Sequence, residues 1–138
     1  MTTGIPGSTA RKNSSQQVGY LRFAVNFNDA GIAAGVGKQW LPAGAIITGT
    51  DVYIGAGFNA ATTNVLTVGL GGVANNIVAA ADVDETTIAL TKGIKPTGAA
   101  LGPLAADSQV TVTYTQAGAA ATAGSAVVII NYVPNNDM

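Results

Sequence analysis

The chain has 138 residues with no cysteine and no histidine. This is the size of one domain, and it rules out disulfides, thiolate nucleophiles, imidazole bases and the usual transition-metal ligands. Six basic and seven acidic residues leave a net charge of −1, so no basic stripe exists to follow a nucleic-acid backbone. Charged residues make up 9% and hydrophobic residues 48%, whereas soluble domains carry roughly 25% charge. The surface must be covered by Thr, Asn, Ser, Gly and Ala, as in a neutral secreted or solenoid-like protein, or by neighbouring proteins in an obligate assembly.

Residues 1–17, MTTGIPGSTARKNSSQQ, are polar and hold too little apolar area to fold alone. They predict a flexible N-terminal arm without a signal-peptide core, with Arg11 and Lys12 as its basic pair. The folded domain is expected over residues 18–138. Val18–Asn28 alternates, with Leu21, Phe23, Val25 and Phe27 on one face and Tyr20, Arg22, Ala24 and Asn26 on the other. That is the period of a half-buried strand.

Asp29–Gly37 reads as a glycine-rich loop, and Lys38–Leu41 leads into a turn at Pro42-Ala43-Gly44. Ala45–Gly57 is a long strand in which Ile46, Val52, Ile54 and Phe58 share a parity opposed to Asp51 and Tyr53. Gly49 within it suggests a bulge or bend. Asn64–Leu70 is a third strand. The alanines of Ile77–Asp82 favour one helical turn. Thr86–Thr91 is a strand with Ile88 and Leu90 on one face, and Gly93–Asp107, with two prolines, is a long loop or edge.

Ser108–Gln116 alternates Val110, Val112 and Tyr114 with threonines. Ser125–Val133 is apolar at both parities, which suits a central strand or a subunit interface. At least six strands with intervening turns predict an all-β sandwich or barrel. No stretch supplies the roughly 20 apolar residues of a membrane helix.

Chemistry is scarce. Asp82, Asp84 and Glu85 form an oxygen-rich cluster, but without calcium-loop spacing it reads as a solvated turn. A retaining glycosidase pair would need a second carboxylate across a cleft, for which Asp51 and Asp107 are candidates by arithmetic alone. Gly35-Val36-Gly37-Lys38 imitates the end of a phosphate loop, yet Ile32 and Gln39 occupy the positions that need Gly and Ser/Thr. Parity exposes Tyr20, Trp40 and Tyr53. Trp40, beside Pro42, is expected to cap the core, with a sugar-stacking platform as the alternative; Tyr53 is the better interface anchor.

The segment Leu41-Pro42-Ala43-Gly44-Ala45-Ile46-Ile47 running into Asp51-Val52-Tyr53-Ile54 resembles the jelly-roll cement (decoration) proteins of tailed-bacteriophage capsids. So do Leu66-Thr67-Val68-Gly69, Ala79–Asp84 and the closing strand Gly124–Val133 with Tyr132. The resemblance spans most of the chain from Val18 to Pro134. It implies a jelly-roll β-sandwich on the outer capsid surface of a virion. It also implies no enzymatic activity and no cofactor or metal. Its partners would be the major capsid protein and further copies of the chain, a dimer in preference to a trimer, with no nucleic acid or membrane. The residues expected to touch partners are Arg11, Lys12, Trp40, Tyr53 and Lys95. The alternative is a carbohydrate- or receptor-binding β-sandwich on a virion fibre.

Overall fold

A computed structural model describes residues 19–134; residues 1–17, with Arg11 and Lys12, lie outside the described residues. Seven strands follow in order: β1 Gly19–Asn26, β2 Val36–Leu41, β3 Ile46–Ala56, β4 Thr63–Leu70, β5 Ala89–Ile94, β6 Ser108–Ala117 and β7 Ser125–Val133. They form a four-stranded sheet, β1-β7-β3-β5, and a three-stranded sheet, β2-β6-β4, with every pairing antiparallel.

The pairing has one logic. The first strand pairs with the last, the second with the last but one, and β3 with β5. The innermost pair is β4 with a single bridge, Val68 to Val78. A long hairpin folded in this way, with alternate pairs dealt to two sheets, is a jelly roll. Its fourth position in the smaller sheet is only that bridge.

Alternation fixes the layers. Leu21, Phe23 and Val25 of β1, Val128 and Ile130 of β7, and Val110, Val112 and Tyr114 of β6 point inward and are buried. Fully burying one such side chain contributes about 1.5–3 kcal/mol. Phe58 and Tyr114 meet with their rings tilted at 49°, centroids 4.7 Å apart. The Tyr114 hydroxyl donates to Asn64 Oδ1 at 2.6 Å, so the largest buried side chain leaves no unpaired polar tip.

Several expectations change. The Ile77–Asp82 stretch forms no helix, because Val78 bridges β4 and buries Ile77 and Val78; tertiary pairing overrides alanine propensity. The residues from Val36 to Leu41 are a strand where a loop and lead-in were expected. The fifth strand starts at Ala89, not Thr86.

Ile46 is exposed while Ile47 is buried. The bulge expected at Gly49 is present: β3 sets Ile47 and Gly49 against Tyr132 and Asn131, one residue too many. That extra residue reverses the parity of everything before it. Asp29–Gly35, the rest of the expected loop, is turn and coil.

Candidate assembly surfaces

The four-stranded sheet turns an unusual outer face to solvent. Residues opposite one another across antiparallel strands share a face, so the register draws it row by row. One row is Tyr20, Asn131 and Gly49; the next is Arg22, Ile129 and Asp51; the third is Ala24, Val127, Tyr53 and Leu90. Ile46 and Val133 make a further pair at one end. Nine large apolar side chains stand exposed among the described residues, and five of them (Tyr20, Ile46, Tyr53, Leu90 and Val133) fall on this face. Large apolar side chains gathered on one exposed face, here with Arg22 and Asp51 among them, mark interaction sites.

Local structure holds the charge of this face in place. β5 spends an extra residue against β3 between Thr91 and Ile94, and Gly93 accommodates it at φ +74, a conformation only glycine adopts at no steric cost. The Gly93 amide donates to Asp51 Oδ1 at 3.0 Å. Asp51 is thus fixed, half-buried, beside Ile129.

The outer face of the three-stranded sheet differs. Its rows pair Val65 with Thr115, Thr67 with Thr113 and Gly69 with Thr111. A Cβ at Gly69 would collide with the Val73 carbonyl, so the loop after β4 folds back over that end. Trp40 lies on this side, opposite Gln109 on the edge strand β2, and is 59% exposed. It does not cap the core as expected; Leu41, the next residue, points inward instead.

Trp40 and Tyr53 therefore look out from opposite sides of the sandwich. Lys95 is exposed at the rim of Tyr53's sheet, just past the end of β5. The structure does not gather these three into one patch. The partners it does give Tyr53, Leu90 and Val127, were not singled out from the sequence, although the two-sided apolar pattern of Ser125–Val133 pointed toward them.

The carboxylates serve the backbone. Asp82 Oδ2 accepts from the Ala79 amide at 2.8 Å, and Asp107 Oδ1 from the Ala43 amide at 2.8 Å. Asp84 accepts from Thr86 Oγ1 at 2.7 Å, from the Thr86 amide at 3.0 Å and from Thr87 Oγ1 at 3.0 Å. The Thr86 hydroxyl, then its amide, then the Thr87 hydroxyl hold the Asp84 carboxyl below its ordinary range.

Glu85 departs from the solvated turn expected: it is buried, and its Oε1 accepts from the Leu66 amide at 2.7 Å. Burial pushes its carboxyl up, against the pull of that amide. Among the described residues no group of three acidic, His or Cys side chains is placed to hold a metal ion. Of the Gly35–Lys38 stretch, Val36 to Lys38 open β2, and Lys38 Nζ stands 3.9 Å from Asp29 Oδ2. No described helix is long and apolar enough to cross a membrane.

No protein-family model matches the chain, and no curated protein matches it in sequence. Solved structures do match its fold. A chain in the cyanophage Pam1 capsid asymmetric unit superposes with a TM-score of 0.69 at 22% identity, covering 88% of each chain. A chain in the acid-stable capsid of Helicobacter pylori bacteriophage KHP30 gives 0.62 at 15% identity, over 88% of this chain and 95% of that one. A chain in the capsid of Ralstonia phage GP4 gives 0.59 at 17% identity, over 88% of both. At these identities the likeness is one of fold.

Proposed function

We propose that this chain is a structural protein of a phage virion, a cement (decoration) protein that binds the outside of the major capsid protein shell and stabilises it. The observation that carries the reading is the coincidence of two features. Nearly the whole sandwich shares its fold with chains of three phage capsids, and it presents an apolar sheet face that an isolated soluble domain has no use for.

A clamp of this kind acts by buried area. Standard interfaces bury about 1,600 Å² in total, and repetition over the shell adds avidity. In this reading the chain also associates with its own copies, as a dimer. Tyr53 is an aromatic anchor in the partner contacts. Trp40 and Lys95 engage neighbours from the other sheet and the rim, and residues 1–17 add Arg11 and Lys12. The carboxylates fixed on backbone amides take no part in catalysis.

The test is co-sedimentation of the purified protein with shells of the cognate major capsid protein. Binding at a fixed ratio of copies per capsid protein, with shells that then resist heating, is the expected result. Removing residues 1–17 should lower occupancy while leaving the melting curve of the sandwich unchanged. A protein that stays in the supernatant at every concentration would sink the cement reading and favour a glycan- or receptor-binding module, which a glycan array would then detect.

A further inference from the structure

We infer that the outer face of the four-stranded sheet seats a second copy of this chain, packed face to face about a two-fold axis that runs along β7. The inference rests on the virion reading for its setting and deepens it by naming the surface through which copies associate.

Two copies related by a two-fold share one self-complementary patch, so the face must match itself when turned over. An axis between the two sheets and parallel to β7 lays β7 on β7. It also lays the partner copy's β1 on β3, because β1 and β3 flank β7 on either side. Aligned sheets pack about 10 Å apart in this way, with the rows nearest the axis kept in register.

The rows then answer one another. Arg22 of each copy comes over Asp51 of the other, since both lie in the row of Ile129. Ala24 comes over Tyr53 in the row of Val127, while Tyr20 falls in the row of Asn131, where β3 offers only the buried Gly49. Each pair sets a cation on an anion or a large side chain on a small one. Ile129 and Val127, half-buried in the free chain, meet their own counterparts on the axis.

Moving the axis one half-step toward β5 loses this. It lays the partner copy's β1 on β5 and so brings Arg22 toward Lys92, the cation of the strand that holds Leu90, where like charges repel. The axis along β7 leaves Leu90 at the rim.

The experiment uses the full chain free of capsid, so that its failure leaves the capsid reading standing and a failure of shell binding leaves this inference standing. Sedimentation equilibrium should show a monomer–dimer equilibrium. Ile129→Arg, which puts two like charges on the axis, and Arg22→Glu, which sets Glu over Asp51, should each raise the dimer dissociation constant at least about tenfold. Circular dichroism melts report whether either variant has lost its fold.

The chain has no cysteine, so Val127→Cys gives a single handle. A short bis-maleimide should join it into covalent dimers, whereas Thr113→Cys on the opposite sheet should stay monomeric. A protein that is monomeric up to millimolar concentration, a trimer, or a dimer indifferent to both charge variants would each overturn the proposal.

Discussion

The two sheets of the sandwich share one core and present opposite chemistry to the outside. The three-stranded sheet shows threonines, Thr67, Thr111 and Thr113, with Trp40 at its edge. The four-stranded sheet shows Tyr20, Ile129, Val127, Tyr53 and Leu90. Threonine has high strand propensity and a hydroxyl that water satisfies, so the first face is complete as a free surface. The second sets those apolar side chains around a row that also holds Arg22 and Asp51, and β7 within it is apolar at both parities, the pattern of a covered strand. Apart from Trp40, the first face needs only water, whereas the second exposes Tyr20, Tyr53 and Leu90 together.

The largest effect should come from the core the two faces share. Phe58 is buried between the sheets against Tyr114, and Phe58→Ala should cost about 3–5 kcal/mol through lost transfer energy and a cavity. Denaturant unfolding should show one transition for the whole sandwich. Separate transitions for the two sheets would break the premise that they are two sides of one unit.

A middle-sized effect should then separate the faces. Tyr53→Ser removes an exposed aromatic, so stability should move within about 0.5 kcal/mol. Affinity for partners should fall at least about tenfold if it is an anchor. Thr113→Ser on the opposite face should change neither. Equal losses from both would mean that the two faces do not differ in partner binding.

Much of this fold was legible in the sequence, and the parts that were not share a cause. Alternation located β1 and β6, whose inner and outer residues fall as their parity requires. The double-sided pattern of Ser125–Val133 anticipated a central strand, and β7 lies between β1 and β3. Pattern reading assumes that apolar residues point inward. Ile88 falls before β5 begins and Leu90 faces outward opposite Tyr53, so both are exposed, because here the outer face carries apolar residues too.

The bulge at Gly49 was visible as a glycine, but its consequence for Ile46 needed the register. Trp40 shows the same limit: nothing local in Lys38–Leu41 says which of two adjacent large residues enters the core. The interface candidates were legible as exposed aromatics, not as a surface. Tyr53 gains its neighbours only once β5 and β7 are laid beside β3.

A smaller effect distinguishes the inner sides. Thr50 of β3 is completely buried, and its hydroxyl has no hydrogen-bond partner. A buried hydroxyl left unpaired costs more than a methyl group of the same shape. Thr50→Val should therefore stabilise the protein by about 1 kcal/mol, measured as a shift of the urea midpoint at constant slope. A loss of stability would mean that the hydroxyl finds a partner in solution.

The smallest effect belongs to the buried carboxylate under the other sheet. Glu85 accepts the Leu66 amide and is desolvated, and burial raises its pKa above the usual 4.5. An acid whose pKa is higher folded than unfolded binds its proton more tightly in the native state. Between the two values the native state carries more protons, so stability falls as pH rises through that window. The contribution is fully present below the unfolded value and lost above the folded one.

Asp84 runs the other way, because its lowered pKa protects the fold above the ordinary carboxylate range and fails in stronger acid. Acidifying from neutral should therefore raise the melting temperature slightly before strong acid lowers it. Glu85→Gln, which keeps an oxygen for the Leu66 amide, should flatten the rise and leave the acid limb. A wild-type curve without the rise would mean that water reaches this carboxylate, and the three-stranded sheet would then be the looser of the two on its inner side as well.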